Sequence, residues 1–179
     1  IQAISGYTGA GDLDIKDDAA DLISAGDAVL NQPGVDQVST NESTVDANIG
    51  AQLNAFTADI DFNVADTATN LAAEVDPYMG LSGRLDDAAS IEVLSGSAVD
   101  VDAAMSIQAI SGYTGAGDLD ITDTVGSLKS AGDNILNQPG IDTVSVTGGP
   151  ISAEDGAFLN AFTAEVEFDV LASADAVAA

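Results

Sequence analysis

The sequence predicts an α/β fold: a repetitive β/α solenoid with a parallel sheet on one face and helices on the other. Three observations carry this. The 179-residue chain repeats itself, Ile1–Ile15 and Ile107–Ile121 both reading IQAISGYTGAGDLDI. Brief β-branched runs, bounded by Gly, Pro or Asp, recur roughly every 23 to 31 residues along it. Ala- and Leu-rich stretches with helical spacing lie between those runs.

Aligning Ile1–Ala73 with Ile107–Ala179 gives about 43 identities over 73 positions, among them LISAGDAVLNQPGVD against LKSAGDNILNQPGID. Two units follow, one long over 1–106, opening part-way through a helix, and a partial one over 107–179. The chain is expected to be a window on a longer continuous array. Strands that each return through a helix are parallel, and a segment that cannot bury its apolar face alone does so against its neighbours. A compact doubly wound α/β domain is the competing architecture.

The strands are expected at Asp12–Ile15, Val35–Ser39, Asp59–Val64, Ile91–Leu94, Asp118–Ile121, Ile141–Val146 and Glu165–Val170. The stretch Asp17–Asn31 places Ala20, Ile23, Asp27 and Leu30 along one helical stripe. Asp66-Thr67 is a good N-cap pair for a helix over Asp66–Val75, and Asp123 opens the matching helix before Leu128. Pro33-Gly34 and Pro139-Gly140 act as stop signals. Further helices are expected over Ser43–Phe56, Ser97–Ser111 and Ser152–Phe162.

Composition narrows the function. There are 30 acidic and 3 basic residues, with no His and no Cys, for a formal charge of -27. The 46% hydrophobic share is too large for a disordered polyelectrolyte. A phosphate backbone or an anionic membrane surface needs Lys and Arg that are absent, so nucleic acid and membranes are not expected partners. No run is long and apolar enough to span a bilayer. Without His or Cys there is no imidazole base, no Ser-His-Asp triad, no thiol nucleophile and no zinc finger. A two-carboxylate hydrolase remains chemically possible. The chain is expected not to be an enzyme.

The strands carry acid on alternate positions: Asp12 and Asp14, Asp59 and Asp61, Asp118 and Asp120, Glu165 and Glu167, then Asp169, with Glu92 in the same pattern. Their apolar neighbours, such as Leu13, Ile60, Phe62, Leu119, Ile121 and Phe168, would face the core. If these acids stack on adjacent strands, their repulsion is about 1 kcal/mol per pair in water. High salt or bound Ca²⁺ would relieve it, so Asp12, Asp14, Asp59, Asp61, Asp118, Asp120, Glu165 and Glu167 are the candidate Ca²⁺ face, with a solvated acidic coat as the alternative.

Other motifs carry less. Asp59-Ile-Asp61-Phe-Asn63 starts like an EF-hand loop but has Val64 where Gly is needed and Asn70 where the bidentate Glu belongs. Gly6–Gly11 precedes a strand, whereas a dinucleotide fingerprint follows one. Gly9–Asp14 and Gly115–Asp120 read as turns entering strands. Asp86-Asp87 and Asp100/Asp102 read as loop acids and a helix N-terminus. The insertion Asp76–Ser90, with Tyr78, Met79 and Arg84, is the most distinctive surface segment and the candidate partner contact.

The steps Asp66-Thr-Ala-Thr-Asn-Leu71 and Asp123-Thr-Val-Gly-Ser-Leu128, each following an alternating strand, resemble the DTAANL-type repeats of very large, acidic, Cys-poor bacterial surface proteins, cyanobacterial ones among them. Asp17-Asp-Ala-Ala-Asp-Leu22 departs from that motif at its second position. The resemblance implies an extracellular or cell-surface structural or adhesive role, often with calcium, and transfers no catalytic residue. The expected function is a structural repeat segment of a filament, surface layer or matrix protein that associates end to end with copies of itself or adjacent repeats. The alternative is a Ca²⁺-dependent adhesin repeat that spaces or binds a glycan or cell-surface ligand.

Overall fold

The computed structural model describes residues 13–75 and 83–171. They form a mixed α/β structure with parallel strands in three small sheets. The first sheet takes β1 (Leu13–Asp17), β2 (Val35–Thr40) and β3 (Ile60–Asp61). The second takes β4 (Asn63–Thr67), β5 (Ser90–Leu94) and β6 (Tyr113–Gly117). The third takes β7 (Leu119–Asp123), β8 (Ile141–Val146) and β9 (Val166–Glu167). Within each sheet the strands stand in chain order. Phe62 alone separates β3 from β4, and Asp118 alone separates β6 from β7. One extended segment therefore closes one sheet and opens the next.

Among the described residues eight short helices return the chain between strands: α1 (Ala19–Ala25), α2 (Asp27–Leu30), α3 (Ala47–Leu53), α4 (Ala68–Val75), α5 (Val101–Gln108), α6 (Val125–Ala131), α7 (Asp133–Leu136) and α8 (Ala153–Leu159). The single helix expected over Asp17–Asn31 is two. Gly26, at φ 69°, ends α1 and turns the chain into α2, and Gly132 at φ 69° does the same between α6 and α7. That backbone region is open to glycine and strained for other residues. Asp66 and Thr67 belong to β4, so α4 starts two residues later than its sequence signal.

The core follows from the two periodicities. Along the strands every second side chain turns inward, and the inward rows are aliphatic: Ile15, Val38 and Ile60 in the first sheet, Ile121, Val144 and Val166 in the third. Helices cover them with Leu22, Leu71, Ile107 and Leu128, each at most 1% exposed. Burying one such side chain fully contributes about 1.5–3 kcal/mol. Phe62, 2% exposed, is the largest side chain in this core.

The Gly-rich stretch expected to be a turn is a strand in its second copy. Tyr113–Gly117 pairs with β5 through an irregularity between Ile91 and Glu92. Gly117, at φ 91°, lies so close to β5 that a Cβ there would sit 1.8 Å from the Val93 carbonyl oxygen. Side chains would hold the two backbones apart, so the glycines are what admit the pairing. Of the first copy of the motif, Gly9–Asp12 lies outside the described residues.

Two glycine substitutions should therefore behave oppositely. Gly117→Ala should lower stability by about 2 kcal/mol or more, because the clash is with backbone at a positive φ. Gly126→Ala, in α6 with only Thr124 Oγ1 nearby at 3.8 Å, should raise it by about 0.5–1 kcal/mol. Urea unfolding of both variants checks the pair; equal effects would contradict the close approach.

Candidate functional site

The acids of the strands stand outward, as their alternation requires. Asp14, Asp59, Asp61, Glu92, Asp118, Glu165, Glu167 and Asp169 are exposed and Asp120 half-exposed, while Asp12 lies outside the described residues. Their register keeps them apart. Asp14 is opposite Gln37, and the outward row of the first sheet reads Lys16, Ser39, Asp61. In the second sheet it reads Ala65, Glu92, Ala116, and in the third Thr122, Ser145, Glu167. Asp120 takes a hydrogen bond from the Thr143 hydroxyl at 2.6 Å on the neighbouring strand. Asp14, Asp61, Glu92, Asp120 and Glu167 thus have neutral neighbours across the ladder. Among the described residues no group of three acids lies close enough together to hold a metal ion. On the first sheet a shallow cavity of about 510 Å³ is lined by Asp14, Lys16, Gln37, Ser39, Glu42 and Asp61.

A second set of carboxylates turns toward the backbone of neighbouring segments. Glu42, in the loop after β2, accepts the first amide of α1 (Ala19 N–H, 3.0 Å). Asp66, 9% exposed, accepts the first amide of α3 from Ala47 at 3.0 Å. Asp123 accepts the first amide of α5 from Val101 at 3.1 Å. A helix leaves its first amides without internal partners, so an ionised acceptor there is stabilising. Asp27 and Asp133 make a matched pair. Asp27 accepts the Thr57 and Ala58 amides at 2.9 and 3.0 Å and the Thr57 hydroxyl at 2.7 Å. Asp133 accepts the Thr163 and Ala164 amides, both at 2.8 Å.

Sequence reasoning assigned Asp66-Thr67 to the start of their own helix and Asp27 to a helical stripe, and missed this set. Thr67 does cap its own helix, accepting the Asn70 amide at 3.3 Å, while the Asp before it serves the helix behind. The available signal was recurrence: Asp27 and Asp133 sit in the same SAGD, and Asp66 and Asp123 each precede a Thr at a strand end.

Of the insertion, Tyr78 and Met79 lie outside the described residues. Arg84 is half-buried and pairs with Glu74 at 2.5 Å, which ties the insertion to α4. Asp86 accepts the Ser111 amide at 3.3 Å, and Asp100 caps α5 by accepting the Ala103 amide at 2.8 Å. Lys129 pairs with Asp155 at 2.9 Å and lies 4.7 Å from the Phe158 ring centroid, a cation–π contact on the helix side. Among the described residues no helix is long and apolar enough to cross a membrane. No family model, curated protein or solved structure matches the chain.

Hydrogen bonds to the ionised form hold four of these carboxyls below the ordinary aspartate range. For Asp27 the Thr57 hydroxyl has the largest effect, ahead of the Thr57 and Ala58 amides. For Asp133 the Ala164 amide leads. For Asp155 the Lys129 ammonium leads, with the Ser152 hydroxyl next. Burial is the largest single influence on Asp123 and raises it, but the Val101 and Thr124 amides and Ser127 hydroxyl together bring it down. Chemically the arrangement suits the fastening of one segment to the next, with the outward acids left to water.

A depressed folded-state pKa contributes stability that is present above the unfolded value of about 4 and lost as pH falls through the folded value. The doubly substituted chain Asp27→Asn, Asp133→Asn should be less stable than the parent at pH 7. That difference should shrink as pH drops below about 4. Thermal melts of both chains between neutral and acid pH measure it, and a difference that stays constant would remove these two carboxylates from the account.

Proposed function

We propose that this chain is a stretch of β/α solenoid serving as a structural repeat segment of an extracellular filament, surface layer or matrix protein, and that it associates end to end with copies of itself or with adjacent repeats. The observation that carries the reading is that both copies of the duplicated sequence repeat one set of fastenings. Asp27 holds the amides of Thr57 and Ala58, and Asp133 those of Thr163 and Ala164, at the same sequence separation. The strands also follow one another in chain order, as a solenoid requires.

Exposure along the chain supports end-to-end association. Leu119 and Ile121 are 0% exposed, whereas the matching Leu13 and Ile15 near the other end are only half-buried. The same holds for Phe62 at 2% against a half-buried Phe168. A charge of -27 would keep such a body soluble and discourage nonspecific sticking. The reading assigns no catalysis to the chain.

The cavity over Asp14, Lys16, Gln37 and Asp61 is the one feature that favours the second reading, a Ca²⁺-dependent adhesin repeat with a glycan or cell-surface ligand. The register of the outward acids favours the first, because it relieves their repulsion without a cation.

Electron microscopy of the purified chain, with millimolar Ca²⁺ and with EDTA, separates the two. Long regular particles that survive EDTA are expected. Particles that stay monomeric, or that lengthen only with Ca²⁺, would replace the structural reading with the adhesin one.

A further inference from the structure

The duplication places a covered and an uncovered version of one surface in the same molecule. In the first copy, Gly83–Leu94 lies over the end of α3 and the outer edge of β4. Leu85, 0% exposed, packs beside Gly50, Phe62 and Val64, within 3.2 Å of where a Gly50 Cβ would sit. Asn54 holds the turn by two bonds: its Nδ2 donates to the Gly83 carbonyl at 3.2 Å, and its Oδ1 accepts the Asp87 amide at 2.8 Å. The Ala89 amide donates to the Phe62 carbonyl at 2.8 Å and the Ser90 hydroxyl to Asn63 Oδ1 at 2.7 Å. From Ser90 onward β5 runs parallel to β4.

In the second copy the receiving residues recur 106 positions later: Gly156 for Gly50, Asn160 for Asn54, Phe168 for Phe62, Asp169 for Asn63 and Val170 for Val64. The inner edge of this segment is already fixed, because Ile151 bridges Val170 as Val45 bridges Val64. Beside it lies an open cavity of about 820 Å³ lined by Leu159, Asn160, Phe162, Phe168 and Asp169 and, from the β8 side, by Ser145 and Val146. Val170 is 44% exposed where Val64 is 0%. Among the described residues nothing stands where Leu85 stands in the first copy.

We infer that this cavity is a strand-and-turn acceptor site, and that its occupant is a peptide segment with the chemistry of Gly83–Leu94. Such a segment would place a leucine against Phe168 and Gly156 and turn backbone groups to Asn160. It would lay a parallel strand of alternating aliphatic and polar residues beside Asp169–Leu171. A serine at its strand start would donate to the Asp169 carboxylate as Ser90 does to Asn63. The inference rests on the repeat-array reading, since the covered copy is its template, but the two fail separately: a segment can dock without filaments forming, and the reverse.

The probe is a synthetic peptide of the sequence Gly83–Leu94, titrated into the full chain and followed by amide chemical shifts. Saturable shifts are expected at Gly156, Asn160, Phe168 and Asp169. A peptide with Leu85→Ala should bind about tenfold more weakly or worse, since it loses most of one buried leucine. The exposed substitution Asn160→Ala in the protein should weaken binding several-fold. Both partners are acidic, so affinity should rise with salt. Three results would overturn the inference: no saturable shift at millimolar peptide, equal binding of the Leu85→Ala peptide, or binding only after residues 172–179 are removed. The last would mean that the chain's own tail fills the cavity.

Discussion

The bond on which the rest of the structure depends runs from a carboxylate of one segment to a backbone amide of another. The helices here are four to eight residues long. A helix in water needs about 12–15 residues before it is even marginal. None of these would hold its shape by propensity, and in so short a helix the first-turn amides without internal partners are a large share of the whole. Glu42, Asp66 and Asp123 supply ionised acceptors to those amides from outside the helix, and Asp27 and Asp133 supply them to the chain entering β3 and β9. A charge-assisted bond of this kind is roughly twice as strong as a neutral one. The starts of α1, α3 and α5 are consequently completed by a neighbouring segment.

The same carboxylates answer an electrostatic problem. A chain with 30 acids and 3 cations must place its negative charge where it costs least. Acids that bond backbone amides are neutralised locally by N–H dipoles. Acids on the outward sheet face are separated by the register, with Ser39 between Lys16 and Asp61, Ser145 between Thr122 and Glu167, and alanines on both sides of Glu92. In these rows no two carboxylates stand directly opposite one another.

This bears on what was legible in the sequence. The strands were, because alternation is a local property: Ile141–Val146 was placed residue for residue, and the inward positions Leu119 and Ile121 of β7 were identified from period alone. The break between α1 and α2 was not, because Gly26 within an apolar stripe looks like a tolerated glycine, and only its φ of 69° separates a stop from a passenger. Nor was β6, since Tyr113–Gly117 has turn composition and becomes a strand through a backbone approach to Val93. The outward acids were found but their register was not, because pairing depends on loop lengths that composition does not encode. The inward acids were missed for a related reason. A capping signal is read against the helix that follows it, whereas Asp66 and Asp123 serve the helix that precedes them.

Comparison of the copies shows that a side-chain acceptor at a helix start can come from a neighbouring segment or from the helix itself. At the start of α1, Asp18 makes no capping bond to its own helix, and Glu42 comes from beyond β2 to accept the Ala19 amide. At the matching start of α6, Thr124 stands in place of Asp18 and caps its own helix by accepting the Ser127 amide at 3.2 Å. There Gly148 stands in place of Glu42. The acceptor inside α6 serves its third amide, where Glu42 serves the first amide of α1 from outside. Two positions 24 residues apart in sequence, 18 and 42, have therefore changed together between copies. Each helix start keeps one side-chain acceptor, at a different amide in each copy.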